Sequence, residues 1–321
     1  MKQKVIIWLS LILLLAVVAF MVKDFFYQPK SSNENPYEYK MDKLRHIDSS
    51  LIAYAEFKQI SPDIEALHGI AIDKEDNIYL AGKDKVMIYD NDLNLKSTFN
   101  IVYEAKCITV GDDGKIYLGV NDHVEVYDNK GTKIKSWNPI NVKSVITSIA
   151  LTDKYVYVAD AGNRIVYQYD NEGNLLKEIG KKNPEKGIQG FIIPSPYFDL
   201  LIGREGELWV VNPGRHQFEQ YDAEGNLVSS WKRTSMDVDG FSGCCNPSNI
   251  AMLTDGSFIT SEKGIERVKI HQPSGEFKCV VASPDKFVEG THGIDLAVDS
   301  KDRVYVLDPE KKIVSVYKLV K

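Results

Sequence analysis

The chain has 321 residues, a net charge of −6 without charge blocks, and 44% hydrophobic residues. That is enough apolar material for one large core or several small ones in series. No basic face is visible, which argues against nucleic acid as a partner, and four cysteines in so long a chain do not make a disulfide scaffold.

At the N-terminus, Lys2 and Lys4 precede Val5–Val22, eighteen residues whose one polar member is Ser10. Such a run is at the lower limit for spanning a bilayer. A cleavable signal would be shorter and followed by a small-residue site. Val17-Val18-Ala19 offers such a site, but the apolar run continues through Val22 and no cysteine follows to carry a lipid. The expectation is an uncleaved signal-anchor over residues 1–23, with the membrane as a partner. The basic flank points to a cytoplasmic N-terminus, weakened slightly by Lys23. The remainder would then lie outside the cytoplasm, periplasmic or extracellular. Residues 24–45, with Pro29, Ser31, Ser32, Asn33 and Pro36, read as a polar linker.

From residue 46 to 321 one pattern recurs six times. An apolar stretch leads through a short turn to a second stretch: Asn77–Gly82, Lys115–Val120, Tyr155–Asp160, Glu207–Asn212, Ser257–Glu262 and Arg303–Asp308. A third stretch follows, usually ending in Tyr-Asp: KVMIYD, HVEVYD, IVYQYD, QFEQYD, RVKIHQ and IVSVYK. A period of about 40 to 50 residues built of short strands predicts an all-β, six-bladed β-propeller. The opening strands start at Gly69, Cys107, Ser148, Asp199, Asn249 and Asp295. Their large apolar residues alternate, as in Ile70 and Ile72, Ile108 and Val110, Ile149 and Leu151. The other parity carries Ala71, Thr109, Ala150, Ala251 and Ala297, small enough for close approach around a central axis. Asp128-Asn-Lys-Gly131, Asp170-Asn-Glu-Gly173 and Asp222-Ala-Glu-Gly225 are tight turns before a fourth strand. Five units have that fourth strand: Leu95–Phe99, Lys133–Trp137, Leu175–Ile179, Leu227–Trp231 and Phe277–Val281. The sixth lacks it, while Leu51–Ile60 is left over at the front. That segment is predicted to complete the sixth sheet against Ile313–Lys318 and close the ring.

These units resemble NHL repeats across nearly all of residues 51–320, most closely in Ser148–Gly180; that resemblance independently implies six blades. The second half is similar to an uncharacterised bacterial NHL group in Pro194–Phe198 (PSPYF), Asn212–His216 (NPGRH), Gly243–Pro247 (GCCNP), Ser261–Gly264 (SEKG) and Arg267–Lys269 (RVK).

Residues just before the opening strands should line the central funnel, the default ligand site of this fold. They include His68, Lys106, Tyr197 and His292. His68 and His292 belong to the first and sixth units, which become neighbours on closure. Together with Cys244 and Cys245 of the fifth unit they form a candidate soft-metal set for zinc or copper. Leu67-His68-Gly69-Ile70 and Thr291-His292-Gly293 look similar to amidating lyases of this fold, which bind zinc through three such histidines. Thr147, Phe198 and Ser248 stand where the third would be. The competing reading has these histidines hydrogen-bonding backbone. Adjacent Cys244 and Cys245 would form a disulfide, hold a metal or simply pack, whereas Cys107 and Cys279 read as buried small hydrophobes. Asp199, Asn249 and Asp295 open consecutive blades and would suit calcium, a set similar to the axial metal site of gluconolactonase-type propellers, or would satisfy backbone at the strand entrance. Arg215, His216, Lys263 and Arg267 lie on turns and would give a positive rim for a small anionic ligand, or a solvated surface. No nucleophile elbow or phosphate loop appears. The expectation is a membrane-anchored module that binds a ligand or a protein through its funnel and rim. The alternative is a metal-dependent lyase or hydrolase on the axis.

Overall fold

A computed structural model describes residues 2–26, 41–186 and 188–320. The chain divides into two units, residues 1–41 and 42–321. The first holds one helix, Lys2–Phe26, in which apolar side chains such as Trp8, Leu13 and Phe20 are exposed. Among the described residues no helix is long and apolar enough to cross a membrane, so the expected span finds no support there. The middle of the expected linker, including Pro29 to Pro36, lies outside the described residues. Its end, Met41–Arg45, is a short helix rather than extended chain.

The second unit is a ring of six four-stranded antiparallel sheets, the six-bladed propeller. The blades span residues 67–100, 107–136, 146–179, 200–232, 249–282 and 295–319, the last completed by Tyr54–Ile60. The predicted closure is present: Tyr54 pairs with Leu319, Glu56 with Tyr317 and Ile60 with Val314. Leu51 does not belong to the strand. It ends a 3-10 turn capped by Asp48, whose carboxylate accepts the Ser50 N–H at 2.8 Å. The closing strand feeds two cores. Tyr54 packs between blades five and six, and Ile60 between blades six and one.

Each adjacent pair of blades shares one apolar core. The alternation of the opening strands is a choice between these cores. Ile70, Ile108, Ile149, Ile250 and Leu296 face the preceding blade, whereas Ala71, Ala150, Ala251 and Ala297 face the following one. The small residues also line the axial channel, around which they were expected. The Asp turns form as predicted: Asp128 accepts the N–H groups of Lys130 and Thr132 at 2.9 and 2.7 Å, and Gly131 takes φ +83°, which favours glycine.

Two aspartates stitch the inner ring. Asp199 accepts the N–H of Leu200 at 2.8 Å and of Ile250, in the next blade, at 2.7 Å. Asp295 accepts Leu296 and Ile70 N–H, both at 2.9 Å, and the Asn249 side-chain amide at 3.2 Å. Blade four is thereby tied to five, and six to one. These bonds fit the reading in which Asp199 and Asp295 satisfy backbone at the strand entrance and latch neighbouring blades, while the buried Asn249 amide oxygen has no hydrogen-bond partner among the described residues. Burial raises Asp199 to about 6; burial, with the charge of Asp199, raises Asp295 to about 7.

Two outcomes follow from this architecture. Removing residues 1–60 should lower the Tm by at least ~10 °C, while removing 1–41 leaves it unchanged; equal melting of the two truncations would contradict closure by the borrowed strand. The raised carboxyls stabilise the fold fully below the ordinary carboxylate value of ~4, and that contribution fades as pH rises through about 6 for Asp199 and about 7 for Asp295. Asp295→Asn should thus be less stable than wild type near about pH 4 and gain on it steadily to about pH 8, read as urea midpoints. A gap that widens with pH would be the wrong sign.

Candidate functional site

One end of the axis opens into a cavity of about 430 Å³ whose wall includes His68, Lys106, Thr147, Tyr197, Asn249 and His292. Below it a channel of about 380 Å³ runs between the opening strands and shares His68, Lys106, Thr147 and Asn249 with the mouth. Local irregularities aim two of these side chains. The ladder of blade one slips between Leu67 and Gly69, and that of blade three between Ile146 and Ser148. The residue at each slip, His68 or Thr147, leaves the regular alternation, as at a β-bulge.

The mouth is a set of linked polar groups. His68 Nε2 meets Glu104 Oε1 at 2.5 Å, and Lys106 Nζ meets the same oxygen at 2.8 Å. The Lys106 ammonium, joined by His68, holds the Glu104 carboxyl below its ordinary range despite partial burial. Thr147 Oγ1 donates to the Phe198 carbonyl at 2.6 Å. Across the axis the rings of Tyr197 and His292 lie 6.4 Å apart, and Lys263 Nζ sits 5.0 Å over the Tyr197 ring. Glu104 escaped the sequence reading because it lies two residues before a rim position, in an irregular segment with no repeat counterpart.

The expected zinc or copper set is not assembled. His68 is engaged by Glu104 and His292 faces Tyr197, while the two cysteines face each other. Among the described residues no group of three or more His, Cys, Asp or Glu side chains could hold a metal ion. Donors from blades one, five and six share the ring without their side chains converging on one point.

The positive rim also contracts. Arg267 is 1% exposed. It grips Glu262 at 2.8 and 3.1 Å, beside Lys269, which reaches the same carboxylate at 2.8 Å. Arg267 and Lys269 alternate on one strand and so point the same way, into the protein. Their spare N–H groups donate to the carbonyls of Asp237, Val238 and Gly240. Burial pulls Lys269 down to about 8. This ion triad is structural: it pins the loop that leads into Gly243. His216, with left-handed φ of 54°, donates from Nε2 to the Gly243 carbonyl at 2.5 Å and lies 3.2 Å from Thr234 Oγ1. Arg215 is half-buried. Of the four expected cations, Lys263 is the one that reaches a funnel residue.

Around Lys263 the motifs of the second half meet. Cys244 is exposed and Cys245 is 1% exposed; both are free thiols, with their sulfurs 3.2 Å apart. Asn246 exchanges bonds with Lys263, accepting its N–H at 3.0 Å and donating to its carbonyl at 3.0 Å, and also donates to the Ser242 carbonyl at 2.7 Å. The Asn246–Pro247 peptide is cis. Lys263 Nζ lies 3.1 Å from Ser195 Oγ. Burial pushes the Cys245 thiol up, but hydrogen bonds from Ser195 and Cys244 and the Lys263 charge outweigh it and bring it below the usual thiol range. The hydrogen bond to Cys245 raises Cys244. Cys107 and Cys279 are buried in separate cores, between blades two and three and blades five and six.

No protein-family model matches the chain, and no curated protein matches its sequence. Solved structures match its fold. A streptogramin B lyase is 11% identical, covering 85% of this chain and 100% of its own, with TM-score 0.60. Virginiamycin B lyase from Staphylococcus aureus is 13% identical over 83% of this chain and 100% of its own, TM-score 0.58. A protein of unknown function from Bacteroides thetaiotaomicron is 14% identical over 83% of this chain and 72% of its own, TM-score 0.58. At these identities the likeness establishes the β-propeller and nothing finer, and NHL membership is not confirmed by it.

Proposed function

We propose that this chain is a binding module whose funnel mouth takes a small ligand bearing an anionic group and a flat apolar portion. One observation carries this reading: a cavity of about 430 Å³, within the range of small-molecule sites, with two unlike walls. Pro196, Tyr197, Phe198 and the His292 ring form an apolar side, and Lys106 and His68 supply hydrogen-bonding groups, with Thr147 bonded to the Phe198 carbonyl between them. Glu104 pairs with both Lys106 and His68, and an incoming anion would compete for both of them. The alternative, a metal-dependent lyase or hydrolase on the axis, is the less supported reading, because His68 meets Glu104 and His292 faces Tyr197.

The propeller would be tethered to a membrane through the helix Lys2–Phe26 and face away from the cytoplasm. The run Val5–Val22 with its basic flank and the exposed apolar side chains of that helix support this.

A panel of aromatic carboxylates, titrated by ligand-observed NMR, tests the site. At least one should bind wild type, with Lys106→Met and Tyr197→Ala each weakening it about tenfold, a loss of ~1.4 kcal/mol, and Lys154→Ala leaving it intact. Binding insensitive to Lys106 and Tyr197 would end the proposal. For the tether, the full chain should stay in the membrane fraction through alkaline carbonate washing while a chain lacking residues 1–26 is released; release of the full chain would refute it.

A further inference from the structure

We propose that Cys244 and Cys245 form a redox-active dithiol that exchanges with external disulfides, exposed Cys244 receiving the disulfide and buried Cys245 resolving it. The proposal is independent of any funnel ligand. Four observations carry it. The sulfurs already lie 3.2 Å apart, and both thiols are free. Access is divided: Cys244 is open to solvent, whereas Cys245 is 1% exposed and out of reach of a bulky reagent. The loop is held from both sides by Asn246 on Lys263 and by His216 on the Gly243 carbonyl. Finally, Lys263 and Ser195 meet beside Cys245, a cation and a hydroxyl suited to stabilising a thiolate. A pair that merely filled space would need neither the divided access nor the cationic neighbour.

The exchange balances as follows. Cys244 passes its proton to Cys245, 3.2 Å away, and its sulfur attacks one sulfur of the external disulfide; the S–S bond breaks, and the first thiolate departs and takes up that proton, leaving a mixed disulfide on Cys244. The Cys245 thiolate then attacks Cys244 Sγ, the mixed bond breaks, and the second thiolate leaves. Two protein thiols have become one Cys244–Cys245 disulfide, the external disulfide has become two thiols, and the two cysteine protons end on them. Neighbouring cysteines close a small, strained ring, and strained or exposed disulfides are the readily reduced ones. The site should therefore cycle rather than lock. Oxidation also removes the thiolate beside Lys263, the residue that lies over Tyr197 in the funnel wall.

The test uses the reduced full-length protein and oxidised glutathione, with acid-quenched mass spectrometry of the peptide carrying Cys244 and Cys245. Wild type should pass through a transient glutathione adduct to a peptide lighter by two hydrogens. Cys245→Ser should hold a stable adduct on Cys244, Cys244→Ser should react at least about tenfold more slowly, and Lys263→Met should let the wild-type adduct persist. The wild-type time course decides the matter even if a variant fails to fold. A persistent adduct in wild type, or two free thiols after the cysteines of urea-unfolded protein have all reacted, would overturn the assignment.

Discussion

The ring depends on one strand taken from the wrong end of the chain. Tyr54–Ile60 pairs with Ile313–Leu319, and without it the sixth sheet would expose its outer edge while two neighbouring cores lost Tyr54 and Ile60. In a propeller each blade buries its faces only against its neighbours, so a gap anywhere leaves two half-cores facing water. The borrowed strand and the Asp295–Ile70 latch act at opposite edges of the same junction. One holds the periphery of blade six and the other fixes its inner strand to blade one. Everything on the axis, including the funnel mouth, inherits its geometry from that closure.

Within the ring, blades four and five differ from the rest. The other blades follow a simple economy of Asp turns and apolar faces. Here the chain inserts long connections, residues 180–199 and 233–248 between strands, and secures them with polar anchors. Glu262, Arg267 and Lys269 are buried as charges, which is unfavourable without excellent pairing. Their spare hydrogen-bonding capacity is used on loop carbonyls at Asp237, Val238 and Gly240. So much buried polarity spent on one loop fits a loop whose conformation matters, and what it presents is Cys244 and Cys245 beside Lys263. The funnel and the thiol pair touch through Tyr197, which shares a wall with His292 and lies under Lys263.

The fold was largely legible because its signals are local and repeated. Alternation, Asp-to-Gly turns and the unit count each report on a few neighbouring residues, and six copies average out exceptions. The closing strand was legible by subtraction, as a segment without a unit and a unit without a segment. The site was legible only in part. Residues preceding the opening strands were placed at the mouth by the repeat itself, but side-chain direction was not. Arg267 sits at a turn in sequence and inside an ion triad in space. Asp199 and Asp295 are aligned by the repeat, but the backbone N–H groups of the next blade that they accept are visible only in space. Glu104, which occupies His68, left no periodic trace.

The sequence alone determined a wheel of six short-stranded sheets, its means of closure, and the unusual character of its second half, since each follows from periodicity and from counting strands. Tertiary structure decided what the polar residues do. It turned a metal set into separate pairings, a basic rim into a buried staple, and four scattered motifs into one cluster around Cys245. The reason is physical: backbone pattern is set over a few residues by alternation and turn chemistry, whereas the partner of a charged or sulfur-bearing side chain is chosen by contacts between blades, at sequence separations no local pattern encodes.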